Sequence, residues 1–132
     1  MRILCINPSI RSPTGWGVPY CHMPLGLAYI AAVLQKDNEV LFLDANAEGT
    51  LSQSGDFYYA GLQKDEIVKR VADLHPDAIC MTIVFTFNST NALEILKAIK
   101  EKLLISSDDT QIYPGHGASS TIGHERKTNP FL

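Results

Sequence analysis

Short apolar runs bounded by turn residues alternate along this chain with stretches whose apolar positions recur at helical spacing. Arg2-Ile3-Leu4-Cys5-Ile6-Asn7-Pro8 is apolar almost throughout and stops at Asn-Pro, the pattern of a parallel strand buried on both faces. Residues 24–36 carry apolar side chains at 27, 30, 31 and 34, one face of a helix, with Pro24 at a first helical position. Residues 39–44 form a second strand that ends in Asp44-Ala45-Asn46. Residues 64–74 place Ile67, Val68, Val71 and Leu74 on one helical face, and His75-Pro76 ends that helix. Residues 78–85 read as a third buried strand. Asn91 is the expected cap of a third helix, with Glu94 three residues on and Leu93, Leu96, Ile99, Lys100 and Leu103 continuing the period. Residues 110–113 form a weaker fourth strand. The alternation predicts an α/β fold: a doubly wound, flavodoxin-like or Rossmann-like parallel sheet of about four strands, order 2-1-3-4, truncated at its carboxyl-terminal end.

In such a sheet ligands gather beyond the carboxyl ends of the strands, so the loops after strands one, three and four carry the function. The first loop, residues 9–23, reads SIRSPTGWGVPYCHM and is far longer than an ordinary strand-to-helix turn. It is no phosphate loop: Gly15-Trp16-Gly17 lacks the third glycine of a dinucleotide site, and no Gly-Lys-Ser/Thr occurs. Two readings stay open, an aromatic flap over a large flat ligand and a packed surface loop.

Composition narrows the field. The chain has 132 residues and 45% hydrophobic content, enough for one domain with a real core and too little for two. Eleven basic residues face fourteen acidic ones, a formal charge of −3, which offers nothing to nucleic acid or to an anionic membrane. The longest apolar stretch, residues 25–34, is interrupted by Gly26 and is too short to span a bilayer. The opening Met1-Arg2-Ile3 leads into a strand rather than a signal peptide, so the expected compartment is the cytoplasm. Cys5, Cys21 and Cys80 match neither zinc nor iron–sulfur spacing and read as buried thiols. Without an acid–base pair, a nucleophile with its base, or a Cys-x-x-x-Cys-x-x-Cys cluster, the chain is not expected to be catalytic alone.

The segments RILCINPSIRS, MPLGLAYIAAVLQKDNEVLFLDANAEG and HPDAICMTIVFTFNSTNALEILKAIKE resemble the amino-terminal cobalamin-binding domain that precedes the radical S-adenosylmethionine core of many anaerobic enzymes. The resemblance covers about residues 1–101, and the Pro-Leu-Gly-Leu-Ala-Tyr helix start and Asp-Ala-Asn-Ala are its most specific parts. It implies cobalamin on the carboxyl edge of the sheet, with contacts at Asn7, Pro8 and Ser9, at Thr82 and Val84, and at Gly115 and Gly117 in the turn after strand four. Cobalamin domains of the methionine-synthase type carry Asp-x-His-x-x-Gly after strand one. Here Asn7-Pro8-Ser9-Ile10-Arg11-Ser12 puts serine at the cobalt-ligating position, so no lower-ligand histidine is expected in the first loop. His22 reads as a solvated loop histidine.

The last thirty residues look like something else. Tyr113-Pro114-Gly115-His116-Gly117, Ser120-Thr121-Ile122-Gly123 and Lys127-Thr128-Asn129-Pro130-Phe131-Leu132 resemble the carboxyl-terminal end of metallo-β-lactamase-fold hydrolases related to glyoxalase II. In that family the histidine at the position of His116 is one metal ligand among several, yet no His-x-His-x-Asp-His cluster is present here. One imidazole cannot assemble such a site, and His116 is expected to hold no metal tightly. The two resemblances meet at about residues 99–104, which implies a fusion, with residues 103–132 docking as the last strand and a short helix of a single domain. The resulting expectation is a cobalamin-binding module of a radical S-adenosylmethionine-type enzyme, partnered by cobalamin and by a separate or lost catalytic domain. The alternatives are a non-catalytic doubly wound interaction or scaffold domain and, more distantly, a fragment of a metallo-β-lactamase-fold hydrolase.

Overall fold

The computed structural model describes residues 1–103, 111–112 and 120–128. At its centre β1 (Arg2–Asn7) runs parallel to β3 (Glu39–Asp44) on one side and to β6 (Ala78–Met81) on the other. Leu4 lies in register with Leu41 and Ile79, and Ile6 with Leu43 and Met81. Since successive side chains of a strand point to opposite faces, these six share one face. Helices α2 (Lys64–Leu74) and α3 (Ser89–Leu103) cover it: Ile67, Val71, Ile95 and Ile99 join Leu4, Ile6 and Leu43 in a single buried core. The alternation of apolar and polar positions in both helices exists to fill this face.

The opposite face carries Ile3, Cys5, Phe42 and Cys80 and is covered less completely. Helix α1 (Leu25–Leu34) buries only Leu27, while Leu25, Tyr29, Ile30 and Val33 stay at least half exposed. The expected buried stripe at 27, 30, 31 and 34 is therefore corrected to one anchor residue. The helix is apolar on every side, and only one side meets the sheet.

Three further expectations are corrected. The third strand ends at Met81 rather than 85, because β1 has no more to offer: the Thr82 N–H still reaches the Ile6 carbonyl at 3.2 Å, and β1 then gives way to Pro8. Helix α3 starts at Ser89, and Asn91 does not cap it but donates its side-chain amide to the Ser9 carbonyl. The fourth parallel strand is not seen among the described residues. Its residues β7 (Gln111–Ile112) pair antiparallel with β8 (Ser120–Thr121) in a sheet of their own, ahead of α4 (Ile122–Thr128). Pairing with a neighbour a few residues away closes a shorter loop than joining the edge of β6.

A second sheet was not anticipated. β2 (Ile10–Pro13), β4 (Thr50–Ser54) and β5 (Phe57–Gly61) form an antiparallel sheet with β5 in the middle. Gly55 turns the β4–β5 hairpin with φ 55°, the positive value a two-residue hairpin loop needs at its first position. Gly61 ties this sheet to the larger one. It has φ 114°, and a side chain there would meet the Ala45 carbonyl oxygen at 2.3 Å and the Ser9 Cβ at 2.9 Å. The same crossing brings the Leu62 N–H to the Ala45 carbonyl at 2.7 Å. Glu48 and Glu66 both pair with Arg70, fastening the loop after β3 to α2.

Replacing Gly61 by alanine forces both a strained φ and a backbone clash, and is expected to cost roughly 3 kcal/mol of stability. The midpoint of urea unfolding should fall accordingly, whereas Gly26→Ala, with open space around its Cβ position, should leave it level or higher.

Candidate functional site

The carboxyl ends of β1, β3 and β6 are organised by four buried or nearly buried asparagine side chains. Asn7, the last residue of β1, donates its amide to Asp44 Oδ1 at 2.8 Å, and its carbonyl accepts the Ala45 N–H at 2.9 Å. Asp44 Oδ1 also accepts the Ala47 N–H, which turns the chain sharply after β3. Asn46 accepts the His22 N–H at 3.3 Å and donates to the Ala60 carbonyl at 3.4 Å, linking the long first loop to the small sheet. Asn88 accepts the Arg11 N–H at 2.9 Å and donates to the Ser9 carbonyl at 3.1 Å, where Asn91 also donates at 2.8 Å. Asn7, Asn46 and Asn88 are at most 7% exposed. Polar groups so deeply placed persist because each is paired.

Above this clasp the first loop meets the segment after β6 through a chain of rings. Tyr20 stacks on His22 at 4.3 Å, His22 sits edge-on to Phe85 at 5.0 Å, Phe85 stacks on Phe87 at 5.1 Å, and Trp16 packs edge-on to Phe87 at 5.2 Å. Such contacts contribute about 1 kcal/mol each beyond simple burial. His22 is thus no solvated loop histidine: its Nδ1 is buried and has no hydrogen-bond partner among the described residues. Between the asparagines and the rings lies a cleft of about 20 Å³, lined by Asn7, Pro8, Ile10, His22, Asn46, Thr82, Val84, Phe85 and Asn88. Val84 of its lining is 61% exposed, and Trp16 and Tyr20 of the ring chain are 69% and 71% exposed. A larger trough, about 660 Å³, lies at the amino ends of the strands between Met1, Lys36 and His75; it is polar, shallow and remote from this edge.

Asn7, Pro8, Thr82 and Val84, far apart in sequence, share that cleft. Ser9 stands beside it, its carbonyl taken up by Asn88 and Asn91. Gly115, Gly117 and His116 lie outside the described residues. Ile10, His22, Asn46, Phe85 and Asn88 were not among the expected site residues. The Asp-Ala-Asn-Ala run and the aromatic content of the first loop were the signals that could have found Asn46 and His22.

Cys5 and Cys80 are paired neighbours across β1 and β6, and Cys21 is exposed in the first loop. Burial, reinforced by Cys80, pushes the Cys5 thiol up to about 11. Among the described residues no three histidine, cysteine or acidic side chains are placed to hold a metal ion.

Residues 15–105 match the B12 binding domain, and with more than half its length in that match the chain belongs to this family. It is 38% identical over 102 residues to cytidylyl-2-hydroxyethylphosphonate methyltransferase of Streptomyces wedmorensis, covering 73% of this chain and 19% of that enzyme. A shorter stretch of 38 residues is 47% identical to the hydroxyacylglutathione hydrolase GloC of Haemophilus influenzae, 29% of this chain and 18% of the hydrolase. Over 39 residues the chain is 54% identical to an uncharacterized protein of Mycobacterium tuberculosis, 30% of this chain and 17% of the relative. The chain therefore spans about a fifth of the length of these relatives. No solved structure matches it. No helix among the described residues is long and apolar enough to cross a membrane.

Two outcomes follow from this geometry. Asn88→Ala leaves the Arg11 N–H without its partner and removes one of the two donors to the Ser9 carbonyl, and should lower stability by about 2 kcal/mol in urea unfolding. The folded Cys5 thiol keeps its proton to about 11, while in the unfolded chain it is released near 9.0. Stability from this group is complete below pH 9 and declines as pH rises through that window, a slope that Cys5→Ala should remove. Under native conditions a thiol reagent should modify Cys21 at once and Cys5 only on unfolding.

Proposed function

We propose that this chain is a cobalamin-binding module of a radical S-adenosylmethionine-type enzyme, holding the cofactor for catalytic residues supplied by another domain. The observation that carries the reading is the convergence of Asn7, Pro8, Thr82 and Val84 on one cleft at the carboxyl edge. The cleft itself has room for about one water molecule, so a corrin would lie across its mouth. The residues present fit such a ring: Val84 at the cleft and the exposed rings of Trp16 and Tyr20 in the adjoining ring chain offer apolar surface, and the Thr82 hydroxyl offers a hydrogen-bonding group for an amide-fringed macrocycle. Bound cobalamin would supply methyl- or alkyl-transfer chemistry. The methyltransferase relative supports that class of reaction, since it is named for methyl transfer.

Within this proposal the chain provides no lower ligand from the first loop. The Asn7 amide is engaged by Asp44, Ser9 has no nitrogen donor in its side chain, and the His22 ring is held between Tyr20 and Phe85 with Nδ1 turned inward. His22 is then a wall of the cleft. A second reading, an interaction domain that binds nothing small, draws on the exposed apolar surface of α1.

Hydroxocobalamin added to the purified chain should co-elute with it in gel filtration, read by visible absorbance. Thr82→Leu should weaken uptake about tenfold by removing a hydroxyl and adding bulk at the cleft. His22→Phe keeps a flat ring in the stack and should leave the bound spectrum unchanged. A chain that emerges colourless at every cofactor concentration sinks the cobalamin reading, and a spectrum altered by His22→Phe sinks the claim about the lower ligand.

A further inference from the structure

His22 is held firmly and left unsatisfied at one atom. Its backbone N–H donates to Asn46 Oδ1 at 3.3 Å, Tyr20 stacks on one face of its ring at 4.3 Å, and Phe85 meets the ring at 5.0 Å with the planes 64° apart. Those contacts fix where the ring lies, yet Nδ1 is buried and has no hydrogen-bond partner among the described residues. A ring nitrogen carries either a proton to donate or a lone pair to accept one, so in either tautomer a polar atom is withdrawn from water without a substitute. Such atoms are rare in folded proteins, because the hydration they lose goes uncompensated.

The ring lines the cleft at the carboxyl edge, where the asparagine amides are already engaged. Asn7 donates to Asp44, Asn46 bridges the His22 N–H and the Ala60 carbonyl, and Asn88 bridges the Arg11 N–H and the Ser9 carbonyl. The imidazole and the Thr82 hydroxyl are the groups left for a ligand. A space of about 20 Å³ admits one non-hydrogen atom, so what enters is the tip of a group whose body lies outside. The remaining walls are Pro8, Ile10, Val84 and Phe85, which offer a charge nothing in place of its hydration. The tip is therefore polar and uncharged. A primary carboxamide meets both conditions: with a donor and an acceptor on neighbouring atoms, it answers Nδ1 in either tautomer and leaves its other end for Thr82.

We propose that this cleft seats one side-chain carboxamide of the corrin, and that His22 selects it through a hydrogen bond at Nδ1. The inference rests on the cobalamin reading and deepens it. The exposed rings supply contact area, whereas the cleft decides which arm of the macrocycle points down, and hence how the corrin is turned on the sheet edge. His22 is here a binding residue and not a ligand to cobalt.

The full chain is titrated with hydroxocobalamin and with its monocarboxylic derivatives, each with one side-chain carboxamide hydrolysed to the acid, and uptake is read by visible absorbance. One derivative should bind at least about tenfold more weakly than hydroxocobalamin, since its charge cannot enter the cleft, while the others match the parent. His22→Phe keeps the ring stack and should weaken hydroxocobalamin about tenfold, leave its bound spectrum unchanged, and bind the sensitive derivative and the parent alike, because neither is then held in the cleft. Derivatives that all bind the unaltered chain alike, or a folded His22→Phe variant that binds hydroxocobalamin undiminished, overturn the seat and leave the cobalamin reading in place. An unaltered chain that stays colourless overturns both. Should His22→Phe fail to fold, the Nδ1 nitrogen resonance of the unaltered protein decides: hydroxocobalamin must move it, and an unmoved signal refutes the hydrogen bond.

Discussion

Everything in this molecule depends on β1 being paired on both sides. Leu4, Cys5 and Ile6 have no exposed surface, a condition met only when β3 and β6 close both edges and side chains close both faces. Burial of that order, about 2 kcal/mol for each large side chain, outweighs any propensity the segment has for other structures. It also sets where β1 stops. Asn7 and Pro8 leave the sheet at the same level as Asp44 and Thr82, so three chain segments arrive at one edge with their next residues free to build a site.

What those segments build is polar underneath and aromatic above. The asparagines satisfy backbone groups that a turn leaves unpaired, and they do so across long sequence separations: Asn88 reaches Ser9 and Arg11, and Asn46 reaches His22 and Ala60. A clasp of this kind fixes the first loop, which has no regular structure of its own over residues 17–24, to two different strands. The ring chain from Tyr20 to Trp16 then rests on a fixed base. Its edges face open solvent, and a flat ligand laid there displaces water from apolar surface while the groups beneath stay paired.

The parallel sheet was legible because its signal is strong and local. Runs such as ILCI and AIC offer no polar face, and Ile67 and Val71 fall on the stripe expected of the second helix, whereas the stripe expected of the third is corrected: Ile99 is buried as read, but Leu93 is 59% exposed and the unanticipated Ile95 is buried in its place. Strand ends were less legible, since Ile83 and Val84 are as apolar as Ile79 and Met81 and only the end of β1 tells them apart. The small sheet was missed for a different reason. Thr50–Ser54 has no apolar face, Ile10–Pro13 ends in proline, and Phe57–Gly61 reads as a strand only once Ser54-Gly55-Asp56 is seen as a hairpin turn. At the site, the residues adjoining strand ends were readable by topology, whereas His22 and Asn88 depend on contacts between loops that no spacing rule encodes.

The two faces of the main sheet are unequal, and the inequality bears on the site. One face is sealed by α2 and α3 with a continuous aliphatic core. The other rests on Leu27 of α1 and leaves Leu25, Tyr29, Ile30, Val33 and Phe42 in contact with water. A helix with apolar residues all round is built for an interior. Its amino-terminal end, Leu25, comes three residues after His22, so whatever covered α1 would also brace the loop that carries the ring chain. The order of the cleft and the burial of that helix are therefore two readings of the same packing problem. A surface that covered α1 would therefore sit close to the carboxyl edge as well.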